Sequence, residues 1–359
     1  MKIIINALSG IGDAVMFSPA LKLLKEKLPL AEIEMMVMFN PVKDMYERNP
    51  AISKIHFIDF LNQPALKSFK QVLALRKNKY DASINVYPSN RREYNIISRL
   101  LGAKMRIGTK YNHYSFSNFD FMNNYSSREA KNKHNVVENF ELVKFLIPDA
   151  KENELGSYEI FLNEDDNLFA ANYIRKNKLQ NFAIIGFHAG SATFKGHINK
   201  RWSADKFAEL AESLNSNYGA KILLFGTEKD VNDNIYQKGI DFTLIPEEAN
   251  IMQSIALVKK CSLFVSNDAA FMHIASAMQV PNAAIFGYTN PQELHPWKSK
   301  HIIVRKELEC SPCFFNSPKP VNCIYNGEDE FKCIKTISVE EVFTACTKLI
   351  KEKPGNIKP

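Results

Sequence analysis

The sequence predicts the α/β class, organised as two doubly wound parallel domains. Three observations carry this. Short apolar runs rich in strand formers alternate with helix-spaced stretches along nearly the whole chain. Several of those runs end in a small-residue or acidic turn that leads straight into a helix, as at Asp13, at Gly190 and at Asp268. Residues 262–291 hold one complete unit: an apolar run at 263–265, a helix-forming decamer at 269–278, and a second apolar run at 282–286 behind Pro281. Such a βαβ unit takes a right-handed crossover.

Length and composition bound the answer. The chain has 359 residues, enough for two sizeable cores, with 45% hydrophobic and 24% charged residues. Lys and Arg number 46 against 39 acids, a formal charge of +7. That balance suits an anionic membrane surface or a phosphorylated acceptor. No zinc finger, basic helix or RNA-binding aromatic motif is present, so nucleic acid is not an expected partner. No run of about 18 apolar residues occurs, and residues 1–15 are too short and interrupted for a signal peptide. The expected location is the cytoplasm, with peripheral contact at the inner membrane face. There the six cysteines are expected as free thiols or metal ligands rather than disulfides.

Residues 2–8 are continuously apolar, as a buried central strand requires. A turn, Ser9-Gly10-Ile11-Gly12-Asp13, precedes a helix with apolar residues at Ala14, Phe17, Leu21, Leu24 and Leu28. Pro19 leaves two readings: a kinked helix from Ala14, or a helix capped by Ser18 with Pro19 first. Asp13 reads as a helix-capping acid on local grounds. Strands are expected at 33–39, 54–60 and 80–86, and helices at 65–76 and 91–101. Arg91, Arg92, Lys104 and Arg106 make a basic group that could hold acceptor phosphates or simply line solvated faces. Residues 111–133, rich in Asn, Ser, Tyr and Phe, read as a long loop. A helix from 133 to 146 and a linker at 148–156 follow.

The second domain is expected from residue 166, with 1–165 before it. Its first strand, at 183–187, meets His188-Ala189-Gly190-Ser191, a small-residue turn that could form an anion nest. Lys200-Arg201-Trp202-Ser203 then opens a helix at 204–215. Lys200 is the leading phosphate cation, Arg201 the reserve, and Trp202 a packing residue. The strand at 221–225 ends at Gly226, where Glu228 or Asp230 could accept a ribose diol or remain a solvated acid. Asp268 ends the 263–265 run. It reads either as part of a phosphate site at a helix start or as that helix's cap. Cys310, Cys313, Cys323 and Cys333 make a plausible four-thiolate zinc or iron site, or four unligated thiols. A closing helix at 338–351 could pack back across the domains. The second domain runs to 345, and the helix end and tail, 346–359, should fray towards the terminus.

Five places, in order, resemble glycosyltransferase family 9, the bacterial heptosyltransferases. They are G-D-A-V-x-x-x-P from Gly12; Leu100 to Gly108; K-H-N-V-V-E-N from Lys133; H-x-G-S from His188 with K-R-W-S from Lys200; and N-D-x-x-x-x-H-I-A-x-A from Asn267 with P-x-x-x-x-F-G from Pro281. Where the family has Asp-Thr-Gly or Asp-Ser-Gly, this chain has Asp268-Ala269-Ala270. The resemblance implies a GT-B-like architecture, two Rossmann-like doubly wound domains facing a cleft. It implies inverting transfer of a sugar, heptose from an ADP-activated donor, to lipopolysaccharide core or a related surface glycan, an anionic acceptor. Asp13 becomes the catalytic base, with Gly12, Arg91 and Arg92 at the acceptor. The donor falls to His188, Gly190, Ser191, Lys200, Arg201, Gly226, Glu228, Asp230, Asp268, Ala270, Met272 and His273. No cofactor is then required for catalysis. Two other readings stand beside it. One is a nucleotide-sugar or glycan-binding protein without activity. The other, a nicotinamide-dependent oxidoreductase, lacks a G-x-G-x-x-G fingerprint in either half.

Overall fold

The structure, a computed structural model, describes residues 1–317 and 319–352. The expectation for the tail at 353–359 lies outside them. The chain divides into two units: Met1–Phe161 with Asn316–Pro318, and Leu162–Phe315 with Lys319–Pro359.

The first unit holds β1 (Lys2–Ala7), α1 (Ile11–Lys27), β2 (Glu32–Val37), α2 (Asn40–Tyr46), β3 (Lys54–Phe57), α3 (Ala65–Leu75), β4 (Ala82–Asn85), α4 (Arg92–Leu101), β5 (Met105–Lys110), β6 (Tyr125–Arg128) and α5 (Asn135–Val143). Its sheet is parallel, in the order β3-β2-β1-β4-β5-β6. The order reverses between β1 and β4, so their following loops leave a crevice at the switch point. Helix α1 runs straight through Pro19. Proline cannot donate to the Val15 carbonyl, and the Ser18 hydroxyl does so instead at 2.7 Å.

Residues 111–133 depart from the loop expectation. They contain β6, which extends the sheet with Ile107 opposite Tyr125. Its sequence, Tyr-Ser-Ser-Arg, is largely exposed and has no apolar alternation to betray an edge strand. Much of the remaining segment is held by buried amides. Asn95 lies at the centre. Its amide donates to the Asn118 carbonyl at 2.8 Å, and its Oδ1 accepts from Asn85 at 3.0 Å and Asn123 at 2.8 Å.

The second unit holds α6 (Glu164–Lys176), β7 (Ile184–His188), α7 (Ala204–Tyr218), β8 (Lys221–Leu224), α8 (Lys229–Lys238), β9 (Thr243–Leu244), α9 (Ile251–Val258), β10 (Leu263–Asn267), α10 (Ala270–Ala277), β11 (Asn282–Ile285), α11 (Pro291–Leu294), β12 (His301–Val304), α12 (Lys332–Lys335) and α13 (Val339–Lys351). The order β12-β11-β10-β7-β8-β9 repeats the first unit's winding, with the switch between β7 and β10. Val342, Cys346 and Leu349 of α13 are buried in the second unit's own core with Leu214 and Ile285. No helix among the described residues is long and apolar enough to cross a membrane.

On α5, Glu138 is 1% exposed. One carboxylate oxygen accepts the Ala130 N–H at 2.7 Å, and the other has no hydrogen-bond partner. Burial, reinforced by Glu129 and Glu141, pushes its pKa up to about 7 against the opposing pull of that N–H and Lys133. A carboxyl whose folded pKa lies above its unfolded value opposes folding once it ionises. Stability therefore falls as pH rises from the ordinary 4.5 to about 7. Glu138→Gln keeps the acceptor for Ala130. It should flatten that fall and stabilise the chain at pH 8 by up to about 3 kcal/mol, read by urea unfolding across pH. An unchanged pH profile would refute the assignment.

Candidate functional site

In the first unit the site loop follows β1. Gly10 is extended and caps α1, and the Asp13 carboxylate accepts the Gly10 N–H at 3.2 Å. Gly12 lies in the same first turn. The Ser9 hydroxyl donates to the Pro88 carbonyl at 2.7 Å, tying this loop to the one after β4 across the switch point. Tyr94 donates to the Leu8 carbonyl at 2.8 Å. Its pKa is pushed up to about 12, first by burial and further by the Asp13 charge, which places Asp13 beside α4. Arg91 precedes α4 and is exposed, and Arg92 is exposed with its Nε 3.6 Å from Glu93. The expected basic group is split. Arg91 and Arg92 follow β4. Lys104 and Arg106, at the opposite strand end of β5, bond to Asp81 and to the Met122 and Ala103 carbonyls.

In the second unit three loops converge on the switch between β7 and β10. Asn267, the last residue of β10, joins them. Its amide donates to the Ala189 carbonyl at 2.8 Å, and its Oδ1 accepts the Trp202 N–H at 3.0 Å. Trp202 is 1% exposed and donates its indole N–H to the Ile337 carbonyl. This fixes the stretch carrying Lys200 and Arg201. The Lys200 ammonium meets the Asp268 carboxylate at 2.8 Å, with both side chains largely buried. Burial pushes the Asp268 pKa up, but the Lys200 charge outweighs it and holds the acid below the usual carboxylate range. Asp268 is thus an ion-pair partner and not the helix cap. The cap position of α10 is Ala269, without a side-chain cap bond, and Ala270 is the first helical residue.

The second charged group is Glu228. Its carboxylate lies 3.7 Å from His188 Nε2 and 3.9 Å from Arg201. Burial raises its pKa, and His188 with Arg201 more than reverses that. A Cβ on Gly190 would sit 2.2 Å from the Glu228 carboxyl carbon. One on Gly226, at φ +103°, would sit 2.5 Å from its oxygen. Both glycines therefore serve to admit this acid, where the sequence suggested an anion nest from Gly190. Arg201 also binds Ser191, through its hydroxyl at 3.1 Å and its carbonyl at 2.6 Å. Asp230 is exposed on α8, so the structure separates the two ribose candidates.

Two expected donor residues sit on the buried side of α10. Met272 packs in a small core with Ala284 and Phe286, and its N–H bonds to Ala269. His273 is 3% exposed, and burial lowers its pKa to about 4 despite nearby Asp268, so the ring is neutral. Asn267 and His197 were not singled out from the sequence. His197 lies in a 3-10 stretch, Phe194–Lys200, with its pKa lowered to about 4 by burial and then by Lys200. The pairing of Asn267 with Asp268 at a strand end was the available signal for the former.

The four cysteines of the late segment come together. All four line one small cavity of about 20 Å³ with Tyr288 and Phe331. Among the described residues, no group of three or more His, Cys, Asp or Glu side chains is arranged as it stands to hold a metal ion.

A family model described as glycosyltransferase family 9 (heptosyltransferase) matches residues 68–322. Lipooligosaccharide heptosyltransferase 2 of Campylobacter jejuni serotype O:6 is 27% identical, over 97% of this chain and 99% of its own. Among solved structures, a glycosyl transferase family 9 protein from Veillonella parvula superposes with a TM-score of 0.77 at 21% identity, covering 98% of this chain and 97% of that one. ADP-heptose lps heptosyltransferase II of E. coli gives 0.74 at 19%, covering 99% and 100%. The fold expected from the sequence, GT-B-like with two Rossmann-like domains, is the fold of these structures.

Gly190→Ala should destabilise the chain by about 1–3 kcal/mol, because the added methyl overlaps Glu228. Adding Glu228→Ala should recover most of that loss in a double-mutant cycle read by denaturant unfolding. Additive costs would mean that the acid is not held over Gly190.

Proposed function

The chain belongs to glycosyltransferase family 9, the heptosyltransferases, and from that premise we propose that it is an inverting enzyme. It moves heptose from an ADP-activated donor to lipopolysaccharide core or a related anionic surface glycan. The observation that carries the donor half is the buried Lys200–Asp268 pair at the second unit's switch point. A desolvated ammonium pinned beside an uncapped helix start offers positive charge where a diphosphate can be received. E. coli heptosyltransferase structures of the same fold are described with ADP and with ADP-2-deoxy-2-fluoro heptose, which supports the choice of donor.

The roles follow from the geometry. Lys200, with the α10 start at Ala270, stabilises charge on the departing diphosphate, and Arg201 and Ser191 frame the same loop. Asp268 fixes Lys200. Glu228, with His188 and the two glycines around it, is the acid for the ribose hydroxyls. His273 supports the site as a neutral buried ring. Asp13 takes the acceptor hydroxyl proton as the acceptor oxygen bonds the sugar carbon and the bond to the diphosphate breaks, releasing ADP. Gly12, Arg91 and Arg92 serve the acceptor side. Because protein cations meet the leaving group, the reading requires no catalytic metal.

Asp13→Asn retains an oxygen for the Gly10 N–H, so α1 should survive. Transfer from ADP-heptose should fall about 10²–10⁴-fold with donor affinity nearly unchanged, measured by product formation and by calorimetry. Turnover close to wild type would exclude Asp13 as the base. Wild-type protein that turns over a different nucleotide sugar in a donor panel would overturn the donor assignment.

We also propose cytoplasmic residence with peripheral contact at the inner membrane. Helix α3 and its flanks support it. Leu61, Leu66 and Phe69 are exposed at 62%, 64% and 45%. Lys67, Lys70, Arg76, Lys77 and Lys79 are exposed around them, and no acid occurs between Asp59 and Asp81. Apolar residues among cations fit an anionic bilayer surface. The protein should sediment with anionic vesicles and not with neutral ones, and Leu66→Ser/Phe69→Ser should release it. Equal partition to both vesicle types would count against this contact.

A further inference from the structure

The loop from Ser191 to Lys200 places a half-buried imidazole, His197, beside the Lys200–Asp268 pair. Lys195 at φ 55° and Gly196 at φ 72° are both left-handed, and this double turn separates the exposed Phe194 from the turn that carries His197 and Lys200. The Ser191 hydroxyl donates to the His197 carbonyl at 2.8 Å, which fastens the loop to its own base. His197 and Lys200 stand three residues apart in a 3-10 stretch, where side chains at that spacing lie on one side. Both meet the same ring. Phe314 lies 5.8 Å from the Lys200 ammonium and 5.9 Å from the His197 ring, and it packs in turn against the second unit's core. Phe194 stands edge-on to His197 at 5.6 Å.

Tyr288 decides which ring nitrogen carries the proton. Its hydroxyl lies 3.4 Å from His197 Nδ1, and the residue is 1% exposed. Burial first, then the Asp268 charge, raises its pKa, so the phenol keeps its proton. Were Nδ1 the donor, that phenolic proton would have no acceptor among the described residues, and a buried bond left unmade is costly. Tyr288 therefore donates, and a neutral His197 carries its own proton on Nε2. Nε2 makes no hydrogen bond among the described residues. The ring is uncharged at neutral pH, because burial and then Lys200 and Lys195 lower its pKa to about 4 against the pull of Asp268. A neutral N–H donor suits a corner that already holds an ammonium, where a second cation would repel the first.

We propose, on the reading of this switch point as the donor site, that His197 is a second ligand of the donor diphosphate, giving its Nε2–H to a phosphate oxygen while Lys200 meets the charge. A hydrogen bond from an N–H to an anionic oxygen is charge-assisted and stronger than a neutral one. Lys200 supplies a point charge with little direction, whereas an imidazole held by Tyr288, Phe314 and Phe194 supplies direction without charge. Tyr288 is then a positioning residue, since it fixes the tautomer and touches no part of the ligand. The same N–H remains available to the diphosphate as the sugar leaves, so His197 acts on the departing group as well as on the bound donor.

The test is ADP binding to the full-length protein, measured by calorimetry. His197→Phe keeps a ring against Phe314 and has no N–H, and it should weaken ADP about 10–100-fold, the worth of one hydrogen bond to a charged group. His197→Gln restores an N–H donor and should recover most of that affinity, which a purely structural role for the ring would not allow. Nitrogen NMR on histidine-labelled wild type supplies a readout that needs no variant. It should show His197 neutral with its proton on Nε2, and that N–H should shift when ADP binds. ADP held equally by wild type and His197→Phe would overturn the assignment and leave the donor site standing. So would a proton on Nδ1, or an Nε2 signal indifferent to ADP. Wild-type protein that binds no ADP would overturn the donor reading itself, and this ligand with it.

Discussion

Everything functional in this chain hangs on one constraint, the reversal of strand order within a parallel sheet. A strand covered by helices on both faces must be apolar throughout, and β1, β7 and β10 are buried along nearly their whole length. Such strands have nowhere to carry chemistry except at their ends. Where the winding turns from one direction to the other, two neighbouring loops part, and their backbone groups face a crevice. Each unit makes that reversal between its first and fourth strands. Asp13 follows the first strand of one, and His188 and Asp268 stand at the corresponding ends in the other.

A crevice of this kind must also be held open at a defined width, and the two units do it with asparagine. In the first, Asn6 donates to Asn85 at 2.9 Å across the central strand pair, and Asn85 passes the chain of bonds to Asn95. In the second, Asn267 bonds both the loop after β7 and the start of the Trp202 segment. An amide suits these positions because it donates and accepts at once and carries no charge. Asn85, Asn95 and Asn267 each donate and accept, whereas Asn6 only donates and its Oδ1 has no hydrogen-bond partner, so it is the amides satisfied on both sides that fix their neighbours to a narrow geometry.

The charges in the second unit obey a stricter rule. Removing an ion from water is unfavourable unless a partner or several hydrogen bonds replace the solvent. Lys200 and Asp268 answer that need for each other, and Glu228 is answered by His188, Arg201 and two glycines that permit its approach. Polar groups so arranged are pre-oriented, as the proposed receipt of a diphosphate requires. The same pairing means that neither Lys200 nor Asp268 can be removed without stranding the other.

Periodicity in the sequence was enough for the α/β class, the order of most strands and helices, and the loops that would carry chemistry. That is because buried parallel strands are apolar runs and the turns after them use small or acidic residues for local backbone reasons. The edge strand at Tyr125–Arg128 was illegible because one exposed, polar strand leaves no pattern. The helix at Lys229–Lys238 was missed for a related reason, with Asn232 and Ile235 its buried positions, and Asn40–Tyr46 was missed because 7 residues make only about two turns. Site residues were legible as types and not as partners. Asp268 as the partner of Lys200, Glu228 as the partner of His188, and Asn267 as the join between loops each depend on groups 40 to 78 residues apart. The gathering of four cysteines around one cavity depends on where Gly287 and Tyr288 lie. Local sequence sets what a turn can be, but only tertiary structure decides which distant charge it meets, because burial and separation, not residue type, determine the strength of that meeting.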